Sequence, residues 1–165
     1  MNNNSKIMIA LSVVVLLIGA FSFKSWGNVG PNSGSSSGSV LGDSAKVVLY
    51  KSPSCSCCAS YAKYLEKKGF EVEVINKTDM SPIKDEYGIP RNMESCHTTI
   101  IGGYVVEGHI PVEAIEKLLT DKPNIKGIAI PGMPQGSPGM PGFKAGAFSV
   151  YQVNQDGSTS KFMEL

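Results

Sequence analysis

The order of apolar runs and chain breakers in this 165-residue sequence predicts a mixed α/β domain, β-α-β-α-β-β-α, followed by a Gly/Pro/Met-rich loop and one extra strand. Three observations carry that reading. The apolar run Lys46-Val47-Val48-Leu49-Tyr50 passes through a Pro- and Ser-rich turn into a helical pattern. Two later apolar runs meet at Gly102-Gly103, as hairpin strands do. Three of the four cysteines stand within four positions of one another, at the first strand-to-helix turn, so the elements have a chemical centre.

Residues 1–24 read as an N-terminal transmembrane helix. Lys6 precedes Ile7 to Phe23, which carry no charge, and Lys24 closes the run. This is at the short end for a span, where about 20 residues are typical. No A-x-A-like site comes after it and no cysteine stands beside it to take a lipid, which favours an uncleaved anchor over a signal peptide. The chain beyond this segment is expected outside the cytoplasm, periplasmic or at the cell surface, and secreted if the segment is cleaved. Residues 25–44 are rich in Gly, Ser and Asn and read as a flexible linker. The folded domain is expected over 45–165. A formal net charge of +1, without acidic or basic tails, gives no reason to invoke nucleic acid.

Within the domain, Val47 to Tyr50 reads as a buried strand and Cys55 to Lys68 as a helix closed by Gly69. Helical spacing puts Cys55, Cys58, Ala62 and Leu65 on one face and points Cys57, Tyr61 and Tyr64 elsewhere. Phe70 to Ile75 alternates as a strand. A short helix is expected from Ser81 as N-cap and Pro82 to Tyr87, ended by Gly88. His97 to Ile101 and Tyr104 to Gly108 form the hairpin, and Pro111 to Leu119 the third helix, with Val112, Ile115, Leu118 and Leu119 on one face. Beyond Asp121, two Pro-Gly-Met-Pro units hold Met133 and Met140 in turns, and Phe148 to Val153 reads as the extra strand.

This order, with a thiol turn between the first strand and first helix, resembles the thioredoxin and glutaredoxin superfamily. There the turn before the third strand usually carries a cis-proline. Here the matching position is Ser95-Cys96-His97-Thr98, a thiol and an imidazole in place of the ring.

From about Val47 to Phe162 the chain also resembles the CopG-like copper-resistance proteins, domain-of-unknown-function family 411. The carrying residues are Tyr50-Lys51-Ser52-Pro53-Ser54-Cys55-Ser56-Cys57-Cys58, Ser95-Cys96-His97-Thr98, Val105-Val106-Glu107-Gly108-His109-Ile110-Pro111, Pro131-Gly132-Met133-Pro134 and Gly136-Ser137-Pro138-Gly139-Met140. The resemblance implies an exported thioredoxin-like protein of copper handling, whose cysteines and nearby His and Met bind copper.

The candidate metal ligands are Cys55, Cys57, Cys58, Cys96, His97, His109, Met133 and Met140. Thiolate and thioether donors suit Cu(I), and imidazole suits copper in either valence. Zinc is the competing metal, through a Cys₃His set of Cys55, Cys58, Cys96 and His97, although methionine is no zinc ligand. Each residue also has an inert reading: a structural disulfide for Cys55 and Cys58, a buried thiol for Cys96, core or surface packing for the histidines and methionines. Three functions stay open at this point. The first is an extracytoplasmic protein of copper resistance and homeostasis, holding one or several Cu(I) ions and exchanging them with other copper-handling proteins. The second is a thiol-disulfide oxidoreductase with Cys55 and Cys58 catalytic, the helix N-terminus favouring the Cys55 thiolate. The third is a copper site that cycles between Cu(I) and Cu(II).

Overall fold

A computed structural model describes residues 46–165. The expected anchor and linker, residues 1–44, lie outside these residues. Among the described residues no helix is long and apolar enough to cross a membrane.

The fold is one mixed seven-stranded sheet with helices on both faces. Its strands are β1 (Lys46–Lys51), β2 (Glu71–Asn76), β3 (His97–Ile101), β4 (Tyr104–Glu107), β5 (Ile125–Ala129), β6 (Ser149–Asn154) and β7 (Thr159–Glu164). Its helices are α1 (Ser56–Lys67), α2 (Ser81–Glu86) and α3 (Val112–Asp121), with a 3-10 turn at Arg91–Met93. The strand order is β2-β1-β3-β4-β5-β6-β7. β1 and β2 are parallel across the α1 crossover, and β4 and β5 are parallel across α3. The other neighbours are antiparallel.

Period-two alternation divides the core between the two faces. Val47, Leu49 and Val106 meet Tyr61, Ala62 and Leu65 of α1 and Ile115 and Leu118 of α3 in the larger cluster. Val105, Ala129 and Val153 turn to the opposite face, against Ile89 and Met93. The thiol turn, the start of β3 and the end of β4 come together at one end of the central strands, since Lys51 pairs with His97 and Thr98 with Glu107.

Three expectations need correction. The segment after α3 contributes three strands rather than one. Ser81 is the first helical residue of α2 rather than its cap; Met80 holds the cap position without a side-chain bond, and Asp79 Oδ1, one residue earlier, accepts from Ser81 N at 2.9 Å. Tyr61, expected off the face of Cys55, Cys58, Ala62 and Leu65, is nevertheless fully buried. The chain after β4 crosses over α1 and supplies the reason: Tyr61 Oη donates to the Ile110 carbonyl at 2.9 Å, and Val112 N donates to Tyr64 Oη at 2.8 Å.

Candidate metal centre

Cys55 is the N-cap of α1. Its backbone is extended and its Sγ accepts from Cys58 N at 3.3 Å, the place an Asp or Ser oxygen usually fills. Lys51, almost fully buried at the end of β1, donates from Nζ to the Ser52 carbonyl at 2.8 Å and to Asn76 Oδ1 at 3.3 Å, which pins the turn ahead of the cysteines.

A disulfide joins Cys55 to Cys58, with Cα atoms 5.4 Å apart. Cys57 and Cys96 are free thiols. Cys57 Sγ lies 3.4 Å from Cys55 Sγ, and Cys96 Sγ lies 3.5 Å from Cys58 Sγ. All four sulfurs fall within 4.8 Å of one another. Cys58 is fully buried while the other three are partly exposed, so the cluster has a closed floor and an open rim.

Cys96 also belongs to a second group. His97 Nδ1 is 3.4 Å and His109 Nε2 3.1 Å from its sulfur, and these three donor atoms again lie within 4.8 Å of one another. The imidazoles stand edge to face at 4.7 Å, and the buried Tyr61 ring packs on both, at 4.6 and 5.4 Å. Burial holds His97 well below the ordinary histidine range, with His109 and Lys84 adding to the effect. His109 is lowered by burial too, partly opposed by the Pro138 carbonyl. Burial and the neighbouring Cys57 push the Cys96 thiol up to about 12. Neutral imidazoles are the metal-ready form. His97 Nε2 and Thr99 Oγ1 are buried without a hydrogen-bond partner among the described residues.

The Gly/Pro loop closes over this end of the sheet. The Pro138 carbonyl is 2.7 Å from His109 Nδ1. Gly139, at φ +81°, lies so close to α1 that a Cβ there would sit 2.7 Å from Tyr61 N and 3.1 Å from the Cys57 carbonyl oxygen. At the loop's other end Gly132 N donates to the Glu94 carbonyl at 3.1 Å, and Ser95 Oγ donates to the Gly132 carbonyl. Met133 and Met140 each follow one of these anchored glycines. Met133 is 52% exposed and fills no core volume.

Four partners of the site were not among the candidate residues of the sequence: Tyr61, Lys84, Glu107 and Pro138. Glu107, fully buried, accepts from Ser95 N at 2.7 Å, from Thr98 Oγ1 at 2.7 Å and from the buried Lys84 Nζ. Burial raises its carboxyl, with Lys84 opposing. This pair fixes the turn that carries Cys96. A glutamate two residues after Val105 in a β-strand was the available signal, since alternation puts it on the same face as that valine.

The family model described as a protein of unknown function, DUF411, matches residues 93–140. Two solved structures, described as copper resistance protein CopG in form 2 and form 1, superpose with TM-scores of 0.70 and 0.69. Each is 38% identical and covers 74% of this chain, which spans 99% and 98% of theirs. The chain belongs to the CopG-like DUF411 family. No curated protein matches it. In this CopG-like chain the family match covers Cys96, His97, His109, Met133 and Met140, while the Cys55 to Cys58 turn lies outside it. A Cys/His cluster of this kind is a metal-binding arrangement once its disulfide is reduced, because a disulfide sulfur carries no thiolate charge to offer a cation.

Proposed function

We propose that the reduced domain binds copper for resistance and homeostasis, holding Cu(I) among Cys55, Cys57, Cys58 and Cys96 with His97 and His109 at the inner edge. One observation carries the reading: Cys96 belongs to both donor groups, so four sulfurs and two imidazoles make one continuous soft donor set. That set suits Cu(I), and two groups sharing a sulfur leave room for more than one ion. The copper-resistance description of the two CopG structures supports the same metal. Met133 and Met140, one residue beyond the anchored Gly132 and Gly139, are proposed as weak ligands at the rim. The strand order β2-β1-β3-β4 and the thiol turn before α1 support a thioredoxin-like reading of the domain. The N-terminal segment is proposed as a membrane anchor that holds the domain outside the cytoplasm, in reach of other copper-handling proteins.

A second reading rests on the disulfide itself. Cys55 and Cys58 form the bond that a dithiol oxidoreductase makes and breaks. It also supports a site that cycles copper between Cu(I) and Cu(II), with the thiol pair as electron source. Competition with a calibrated Cu(I) chelator, on reduced and on disulfide-bonded protein, tests the copper reading. Tight retention by the reduced form alone is expected. Equal retention by both forms, or better retention of Zn(II), counts against it.

A further inference from the structure

The hydrogen bonds around His109 fix its tautomer. Nδ1 faces the Pro138 carbonyl oxygen at 2.7 Å, and a carbonyl only accepts, so Nδ1 carries the proton. In the neutral ring Nε2 is then a free lone pair, and it faces Cys96 Sγ at 3.1 Å. Cys96 Sγ also touches Cys58 Sγ at 3.5 Å, and Cys58 is half of the Cys55–Cys58 disulfide. An orienting carbonyl, a base, a thiol and an electrophilic sulfur are thus in successive contact, the arrangement by which an activated nucleophile is recognised.

We propose that in the oxidised, metal-free protein Cys96 is an internal nucleophile, with His109 as its general base, that moves the disulfide from Cys55–Cys58 to Cys58–Cys96. As Cys96 Sγ attacks Cys58 Sγ, its proton passes to His109 Nε2 in the same step, so a free Cys96 thiolate, which burial disfavours, never has to form. The Cys58–Cys96 bond forms, the Cys55–Cys58 bond breaks, and Cys55 departs with the electron pair as a thiolate. One disulfide is present before and after, so neither oxidant nor reductant is consumed.

The direction of exchange is set by where the charge ends. Cys55 Sγ is the N-cap acceptor of α1, where the Cys58 N–H and the helix dipole both favour a negative charge. A sulfur whose anion is stabilised leaves faster. Cys57 also touches the disulfide, at 3.4 Å from Cys55, but its attack there expels Cys58, the fully buried sulfur of the set. Exchange through Cys96 therefore delivers a thiolate to the partly exposed rim and keeps the buried Cys58 in the oxidised bond. A reducing dithiol from outside then attacks the half-buried Cys96, since Cys58 is fully buried.

The test uses the full chain carrying Cys57→Ser, copper-free and oxidised to one disulfide, so that only three sulfurs take part. Alkylation with N-ethylmaleimide and peptide mass mapping read which sulfur is free. Modification of both Cys55 and Cys96 is expected, together with a recovered Cys58–Cys96 linked peptide. His109→Gln is expected to slow Cys55 modification on the order of a hundredfold, the usual scale of a positioned base. Cys96 modified alone, with Cys55–Cys58 the only linkage after prolonged alkylation, overturns the proposal. Unchanged Cys55 labelling in a folded His109→Gln variant overturns the role of the imidazole. The linkage map needs no histidine variant, so it decides the exchange even where that variant unfolds. Copper retention is not read in either arm, so failure here is distinct from failure of the copper reading.

Discussion

His109 Nδ1 donates to the Pro138 carbonyl at 2.7 Å, and this one bond ties the Gly/Pro loop to the imidazole that faces Cys96. The loop is thereby part of the site rather than a connector to β6. Its next residue, Gly139, supplies a second tie by packing directly on α1.

That packing is sensitive to a single methyl group. Gly139→Ala places a Cβ against Tyr61 N and forces a left-handed backbone at φ +81° on a residue that resists it. A loss of about 1–3 kcal/mol is expected from the backbone alone. Urea unfolding of the metal-free protein checks it. Unchanged stability contradicts the contact between loop and helix.

The buried pair Lys84 and Glu107 gives a prediction with an internal control. Glu107→Leu leaves the Lys84 ammonium buried without its carboxylate and frees Ser95 N, and a cost of about 3–5 kcal/mol is expected. The double variant Lys84→Met with Glu107→Leu recovers most of that loss, since it removes both charges together. Denaturant midpoints of the two variants decide the matter. A double variant no better than the single one contradicts the pairing.

Acid should weaken the metal-free fold through its histidines. His97 and His109 are held below the ordinary value of 6.5, so the unfolded chain takes up protons first as the pH falls. Their contribution is fully present above pH 6.5 and is lost as pH falls from there towards the folded values. Each histidine contributes a slope of up to about 1.4 kcal/mol per pH unit. Unfolding free energies between pH 7.5 and about 5 read the slope. A flat profile, or stability that rises towards acid, contradicts burial of the two rings.

The methionines separate packing from ligation. Met133→Leu with Met140→Leu nearly conserves volume, and a change below about 1.5 kcal/mol in metal-free stability is expected. Lower copper occupancy, or faster oxidation of the bound metal, is expected on the same sample. Unchanged copper behaviour with a lower metal-free melting temperature shows them to be packing residues.

The sequence makes the central elements readable because local chemistry and tertiary packing agree there. β1, the thiol turn and α1 carry an apolar run, a Pro/Ser breaker and a helical face in succession, and Gly102-Gly103 marks the hairpin without tertiary help. β5 is harder to read, because Gly127 interrupts its apolar run. In the sheet that glycine lies against Val105, whose carbonyl oxygen would collide with a Cβ. β7 has few apolar residues and pairs along one side only, with β6 at the sheet edge. Tyr61 is buried by Ile110, 49 residues away in sequence, so helical periodicity alone gives no sign of it. The same holds for Pro138, whose role depends on where the loop lands.

X-ray absorption at the copper edge, on reduced protein loaded with Cu(I), tests the central claim most directly. A first shell dominated by sulfur, with a minor nitrogen contribution, is expected, and its sulfur content is expected to fall in both Cys58→Ser and Cys96→Ser. A shell of nitrogen and oxygen alone, or a sulfur shell unchanged in both variants, contradicts a metal centre built on these cysteines.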